Sequence, residues 1–556
     1  MALFRRNKGP NIRNRAPQLA NGTFDVGSAE FRRLCAVSAN GICLMANGYQ
    51  HNPAMRAELK GHIEAGRLPA ITETQTVSLE KIAEAYNARG PRLSDGSMSV
   101  SAKTSEEVQN RIQDLLEQFA EARASDMEIA LRDHRADIRM KAGGAWHDVS
   151  TWTREEGQVA ADCLFNARDE GSGQTTREER SFQSYSISST NTLRLPKGVV
   201  KLRGQRGFHE NSSAIGDHHV LRFFYADGDE STADLTTLGF DDEVLEALDR
   251  IKYMSDGAVI VGGSTGDGKS TTLIRLVEKI IIEAGGEKNG KGGRKKIITL
   301  EDPVELRLNY TSITQIPISS TGDGDDRSDL YRLGLMHFSR INADAGIISE
   351  VRDGYGARQV LQFVSSGHLC CTTIHTNNVN EIPFRIMGWQ ISPAELSRPD
   401  IMRILLQQKL VPSLCPDCCI EYDGSQTLPP FLRVAGPDVW NRLRFRNHDG
   451  CKTCLKSYSG IGKQAWAGYA RLVAVGEMIV PDDKYLGFIA KNDALGAKQH
   501  WLMPKSEGGM GGRSIGQKIT EMAVRGLVDP HDAQERKAED YVPVPANASV
   551  RQLRGE

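Results

Sequence analysis

Residues Gly263 to Ser270 read Gly-Ser-Thr-Gly-Asp-Gly-Lys-Ser, which fits the pattern G-x-x-x-x-G-K-[ST]. Glycines in such a loop let backbone N–H groups turn inward around an anion. The helix that follows adds the partial positive charge of its N-terminus. An apolar run, Ala258–Val261, precedes the loop, and Leu273, Ile274, Leu276 and Val277 follow at helical spacing, so the order is strand, loop, helix. The chemistry implied is the binding of a nucleoside triphosphate such as ATP. Gly263, Ser264, Thr265, Gly266, Asp267, Gly268 and Thr271 line the cradle, Lys269 reaches the β- and γ-phosphates, and Ser270 ligates Mg²⁺.

Binding alone breaks no bond. Hydrolysis also needs an acid near the metal and a group that orients water. Two apolar runs end in acids: Ile297–Leu300 leads into Glu301-Asp302-Pro303-Val304-Glu305, and Ala345–Ile348 leads through Ser349 into Glu350-Val351-Arg352-Asp353. In open α/β sheets ligands bind beyond the carboxyl ends of the strands, so both sets of acids can face the nucleotide. A third apolar run, Leu369–Ile374, is flanked by His368 and by His375-Thr376-Asn377. An imidazole there can read a γ-phosphate by hydrogen bonding.

A different chemistry is written near residue 415. Cys415-Pro-Asp-Cys418 and Cys451-Lys-Thr-Cys454 are two C-x-x-C pairs with 32 residues between them. Each pair presents two thiolates from one turn, and two pairs complete the tetrahedron of a structural Zn²⁺. Cys419 and His448 are alternative ligands. A redox C-x-x-C would stand alone beside a βαβ unit. Between Cys415 and Cys454 five basic residues face five acidic ones, so no electrostatic footprint for a phosphate backbone is present. The lobe reads as a protein-docking element, with no direct nucleic-acid contact expected.

The elements that must position these groups divide the 556 residues into five parts. Residues 1–103 read as an Arg-rich arm and a small helical domain. Residues 104–237 read as a small α+β domain. It opens on a helix with a Thr104/Glu107 capping box and continues through strands around Met127–Leu131, Ile138–Met140, Val199–Leu202 and Val220–Phe224, then a linker over Ala226–Thr237. Residues 238–414 alternate short apolar runs with helical stretches, the pattern of a parallel sheet covered on both faces. Gly285–Arg294 and Ser320–Asp326 read as surface loops. Residues 415–480 hold the zinc lobe, and 481–556 a C-terminal helical region with a disordered tail from Val542. The charge is near balance, with 69 Lys+Arg against 71 Asp+Glu, which argues against a coat for nucleic acid or anionic membrane. Ten cysteines are too sparse for a disulfide scaffold. Without a secretory signal or a long apolar span, a cytoplasmic protein that meets the membrane only through partners is expected.

Taken together, these segments resemble the secretion ATPase superfamily that powers type II secretion, type IV pili and type IV secretion. The phosphate loop, the Thr299-Leu-Glu301-Asp-Pro-Val-Glu305 run, the Glu350-Val-Arg352-Asp353 segment and the Ser366-Gly-His-Leu…Thr-Ile-His375-Thr-Asn377 run stand in that family's order. The resemblance implies a RecA-like motor that assembles as a homo-hexamer and acts on an inner-membrane platform protein. It makes Glu301 and Glu350 the two catalytic acids and His375 the residue near the γ-phosphate. It makes Arg203 and Arg222, in Val200-Lys-Leu-Arg203 and Val220-Leu-Arg222, the arginines delivered toward nucleotide. Arg123-Ala-Ser-Asp126-Met-Glu128 resembles the start of the family's second N-terminal domain. Gln408-Lys-Leu-Val-Pro-Ser-Leu-Cys415-Pro resembles the lead-in to the metal module of assembly and secretion motors, which favours extension or secretion over retraction; a type IVB conjugative pilus motor is one such case.

Departures from the family pattern are Ser349 where glycine is usual, Asn342 and Ala343 in the Arg340–Asp344 run, and Asp267 in the phosphate loop. They leave open which acid polarises water. Two other readings stand beside the motor: a nucleic-acid translocase, and a nucleotide-gated scaffold that does not hydrolyse.

Overall fold

The structure, a computed structural model, describes residues 23–24, 35–38, 40–46, 53–65, 67–77, 82, 102–169, 182–188, 193–210, 215–225, 234–301, 304, 307–318, 324–338, 340–456, 458 and 460–541. The chain divides into two compact units, Met1–Val108 and Gln109–Glu556.

The first unit holds a four-stranded sheet in the order β1 (Thr23–Phe24), β2 (Cys35–Ser38), β3 (Ile42–Ala46) and β4 (Glu73–Val77). The helix Pro53–Glu64 connects β3 to β4, which run parallel. Cys35, Val37, Cys43 and Met45 supply its buried core with Met55, Leu68 and Ile82. The expected small helical domain is therefore a sheet with a helix. Its strands are short, and β4 is largely exposed, so little periodicity marks them. The Arg-rich arm before Thr23 lies outside the described residues.

The second unit opens within a long helix, Ala102–Glu121. It starts two residues before Thr104, so Thr104 is not the cap that the sequence pattern suggests. Its Ile112, Leu116 and Phe119 are buried, and Phe119 meets Phe223 of an antiparallel six-stranded sheet with ring centroids 6.5 Å apart. That sheet has the order β7 (Ala145–Thr153), β6 (Arg135–Ala142), β5 (Asp126–Leu131), β10 (Ile215–Tyr225), β9 (Val199–Glu210) and β8 (Gln183–Ile187). Alternating burial along β6 and β8 matches a sheet covered on one face. The helix Arg154–Asn166 carries a full capping box of Thr153 and Glu156. Most of the expected linker, residues 226–233, lies outside the described residues, and its end, Leu235–Leu238, is a 3₁₀ turn.

The third sheet positions the site. Its order is β13 (Ile313–Pro317), β12 (Ile297–Glu301), β14 (Ala345–Ile348), β15 (Leu369–Ile374), β11 (Gly257–Gly262), β16 (Met402–Leu414) and β19 (Tyr469–Ile479). Every neighbouring pair is parallel except β16 with β19. β11, β12, β14 and β15 are buried along their whole length, as strands covered on both faces must be. Two apolar clusters flank the sheet. One is built on Phe338, Phe363, Ile382 and Trp501, the other on Leu248, Leu276, Ile280 and Leu406.

The acidic insert expected as a loop is partly helical, since the helix Gly324–Phe338 begins inside Ser320–Asp326. The cysteine lobe is an insertion between two paired strands. β17 (Ile420–Glu421) and β18 (Arg444–Phe445) form a small ladder inside it, and β19 returns to the main sheet. Its core joins Phe431, Leu432, Leu443 and Phe445 to Ile515 and Ile519 of the helix Ile515–Val524. The tail from Val542 lies outside the described residues. Among the described residues no helix is long and apolar enough to cross a membrane.

Candidate active site and metal centre

β11 ends at Gly262 and the helix Lys269–Glu283 begins seven residues later. Between them the chain turns through Gly266 at φ +89° and Gly268 at φ +80°, a region L side chains rarely adopt. Gly263 is excluded from carrying a side chain by space: a Cβ there would stand 2.9 Å from the Gln408 carbonyl oxygen. Within the loop the Ser264 amide donates to Asp267 Oδ2 at 2.8 Å. Asp267, expected to line the cradle and a departure from the family pattern, thus closes the loop on itself. Ser264, Thr265, Gly266, Ser270 and Thr271 are exposed and form the mouth of the loop.

Lys269 is buried. Its Nζ donates to the carbonyls of Gly263 and Ser264 at 2.8 and 2.9 Å, and lies 3.4 Å from His375 Nδ1. His375 follows β15, the neighbour of β11, and so stands directly beside the loop. Its Nδ1 is 3.1 Å from the Gly263 carbonyl oxygen and its Nε2 is 2.9 Å from Glu350 Oε1. Glu350 Oε2 in turn accepts from Arg352 Nε at 2.8 Å, and Tyr331 donates to the Glu350 carbonyl at 2.8 Å. Lysine, histidine and glutamate from three separate segments thus form one chain of polar contacts at the phosphate loop.

Glu301 stands at the carboxyl end of β12, separated from β11 by β14 and β15. It is buried, and its Oε1 accepts from Thr299 Oγ1 at 2.6 Å and from Gln315 Nε2 at 2.9 Å. Asp302 and Glu305 lie outside the described residues. Asp353 has a local role: its side chain caps the helix Gly354–Ser365 by accepting from the Gly356 amide at 2.8 Å. His368 sits at the far end of β15 from His375, stacked on Phe363.

Arg203 and Arg222 lie in the six-stranded sheet and are Cα partners on β9 and β10. Like charges placed opposite each other are unfavourable. Asp126 offsets part of this through a 3.0 Å contact with Arg222 Nε. Arg206, three residues on, is different. It is buried, paired with Asp217 at 3.0 Å and bonded to Gln183 Oε1 at 2.7 Å, so it holds the domain together.

In the lobe, the Sγ atoms of Cys415, Cys418, Cys451 and Cys454 all lie within 4.8 Å of one another. The Cys415–Cys451 and Cys418–Cys454 separations are 3.8 and 3.9 Å. A tetrahedron with Zn–S bonds of about 2.3 Å has an edge of about 3.8 Å, so four thiolates fit that ion. Backbone amides at Cys454 and Thr453 lower the Cys451 thiol, toward the form that binds metal, while burial raises those of Cys415 and Cys418. Cys419, an alternative ligand on sequence grounds, points to the Pro416 carbonyl instead.

Residues that motif reading passed over also build the site. Gln315 holds Glu301, Tyr331 holds the Glu350 backbone, and Gln407 holds Thr376. None belongs to a named motif; the register between strands makes them visible.

With this geometry the sequence comparisons can be read. The family model described as type II/IV secretion system protein matches residues 101–503. The chain belongs to this family. It is 26% identical over 372 residues to the type II secretion system protein E of Klebsiella pneumoniae, covering 66% of this chain and 65% of that protein. It is 26% identical over 318 residues to the type IV pilus assembly ATPase TfpB of Acinetobacter baylyi, covering 56% of this chain and 48% of TfpB. Alignments to three type II secretion relatives span 47% to 65% of those relatives' lengths. Among solved structures, the ATPase DotB of Legionella pneumophila superposes with a TM-score of 0.48 at 18% identity, covering 77% of this chain and 94% of that one. The pilus retraction motor PilT with bound ADP gives 0.47 at 19% identity, with 78% and 97% covered. The stretch that the family model matches holds the parallel sheet, the phosphate loop and the four cysteines.

Proposed function

We propose that this chain is an ATP hydrolase that turns hydrolysis into domain movement and drives pilus assembly or type II-like secretion. It works as a homo-hexamer on the cytoplasmic face of the inner membrane, through a platform protein. The observation that carries this reading is the convergence of Lys269, His375 and Glu350 on one phosphate loop, in a chain of this family.

The chain's own groups take the following roles. Loop amides and Lys269 hold the phosphates, with the helix N-terminus behind them. His375, tied to both the loop carbonyl and Glu350, reports the γ-phosphate to the acid. Glu350 or Glu301 orients the attacking water and takes its proton. Arg203 and Arg222, side by side on β9 and β10, supply positive charge to the transferring phosphate. Ser270 and the two acids offer the hard oxygen donors that would hold Mg²⁺, which when bound would supply charge neutralisation at the phosphate oxygens. Cys415, Cys418, Cys451 and Cys454 would hold Zn²⁺, which would cross-link the two ends of the lobe.

Steady-state ATP turnover by the full chain tests this. Lys269→Ala should drop turnover to background while the wild type stays well above it. Equal, background-level turnover in both would sink the motor reading.

A further inference from the structure

Two adjacent glutamines on β16 contact the two loops that form the site. Neighbouring residues of a strand face opposite sides of the sheet, and here the two sides carry different cargo. Gln407 Oε1 accepts from Thr376 Oγ1 at 2.6 Å, and its Nε2 donates to the Thr376 carbonyl at 2.8 Å. That grips the residue after His375 by side chain and backbone together. Gln408 Nε2 donates to the Asp267 carbonyl at 2.6 Å, inside the phosphate loop. Both side chains are buried, Gln408 to 1% exposure. Gly262 leaves room for the first grip: a Cβ there would stand 2.2 Å from Gln407 Oε1 and 2.4 Å from Thr376 Oγ1.

The Gln408 contact has a geometric consequence. A trans peptide is planar, so its C=O and N–H point in opposite directions. Holding the Asp267 carbonyl toward β16 turns the Gly268 N–H away from β16. Gly268 is the residue just before Lys269, at the N-terminus of the phosphate-loop helix. The amide orientation of Gln408 is fixed by its neighbour, since a carbonyl can only accept.

We propose that Gln408 and Gln407 are positioning residues: Gln408 aims the Gly268 amide at bound phosphate, and Gln407 sets His375 relative to the loop. The proposal rests on the nucleotide-hydrolysing reading above. It requires that the two glutamines affect different steps, binding for Gln408 and turnover for Gln407.

The test uses the full chain, a fluorescent ADP titrated at about pH 6 and about pH 8, and ATP turnover. Gln408→Leu should weaken ADP binding on the order of tenfold, because a buried carbonyl loses its donor. Gln408→Glu should bind weakly at the higher pH and recover at the lower. Only its protonated carboxyl can donate to Asp267, and burial raises such a group into that range. Lys269, His375, Asp267 and Glu477, the Cα partner of Gln407 on β19, are present in every variant, so the ratio to wild type removes their effect. Gln407→Leu should leave ADP affinity within about twofold and lower kcat by about tenfold. Wild-type affinity in Gln408→Leu, or identical pH profiles for the Leu and Glu variants, would overturn the role of Gln408. Unchanged kcat in Gln407→Leu would overturn that of Gln407. A wild type that binds ADP but does not turn over ATP would instead refute the hydrolase reading, leaving the binding result for Gln408 intact.

Discussion

Stripping the metal from the four-cysteine lobe should loosen the arginine-bearing domain from the motor. The link is the helix Gly460–Trp466, which follows Cys454 and precedes β19. Trp466 is 6% exposed, stacks on Tyr458 with ring planes 5° apart, and donates from Nε1 to the Ala122 carbonyl at 2.7 Å. Ala122 lies between the first helix of the second unit and β5, the start of the six-stranded sheet. The lobe's own apolar core draws on Ile515, Ile519 and Val528, so losing the metal should not unfold it. The segment from Cys451 to Trp466 has less to hold it once the sulfur ligands part. Only the indole hydrogen bond crosses to Ala122, since Tyr458 lies in the same segment as Trp466; at about 1 kcal/mol it changes the docked-to-undocked ratio by roughly fivefold. The assay is chelation at neutral pH with released Zn²⁺ read by an indicator dye, tryptophan emission, and limited proteolysis with mapped cut sites. Expected are one Zn²⁺ per chain, a red-shifted emission and new cleavage between residues 447 and 468. Trp466→Phe should keep the Zn²⁺ and lose the emission change. Zinc release with unaltered emission and cleavage would refute the coupling, and four freely reactive thiols in native protein without zinc would refute the site.

Two further outcomes follow from buried charge. Asp217→Ala should destabilise the chain by about 3–5 kcal/mol in urea unfolding, because the Arg206 guanidinium, 2% exposed, loses its carboxylate partner. Burial raises the carboxyl of Glu477 above its ordinary 4.5; its folded form therefore holds a proton the unfolded form has released. The stability it contributes is complete below that value and is lost as pH rises through the folded one. The unfolding midpoint of Glu477→Gln should show a shallower fall over that window.

How much of this was legible in the sequence depends on what each residue's role requires. The phosphate loop was readable because its function is local: glycines, lysine and serine at fixed spacing on a strand and a helix. The strands Ala345–Ile348 and Leu369–Ile374 match their apolar runs because burial on both faces removes polar alternation. The four cysteines were readable because metal ligands must be chemically unusual. Thr104 was misleading because a capping box is a weak pattern that chance supplies, whereas Thr153 and Glu156, a true box, attracted no notice. The first hundred residues concealed a sheet because short strands with an exposed edge carry little pattern. β19 was absorbed into the lobe because its partner, β16, precedes it by more than fifty residues, and nothing in the apolar run from Leu472 to Ile479 says which strand it will meet.

The same limitation explains why the β16 glutamines went unread as a site and why they matter. Gln408 drew attention only as part of the lead-in to Cys415, seven residues on. In the folded chain that lead-in is one continuous strand, bonded to β11 on one side and β19 on the other. One end contacts the phosphate loop and the residue after His375, and the other delivers Cys415 to the metal centre. A strand held on both sides bends little. A shift of the phosphate loop at Asp267 would reach Cys415 along this strand, and the Trp466–Ala122 hydrogen bond would carry it on to the domain that holds Arg203 and Arg222. On this path a substitution of Cys415 should lower ATP turnover without contact with the nucleotide; ATP turnover of Cys415→Ser equal to that of the wild type would refute it.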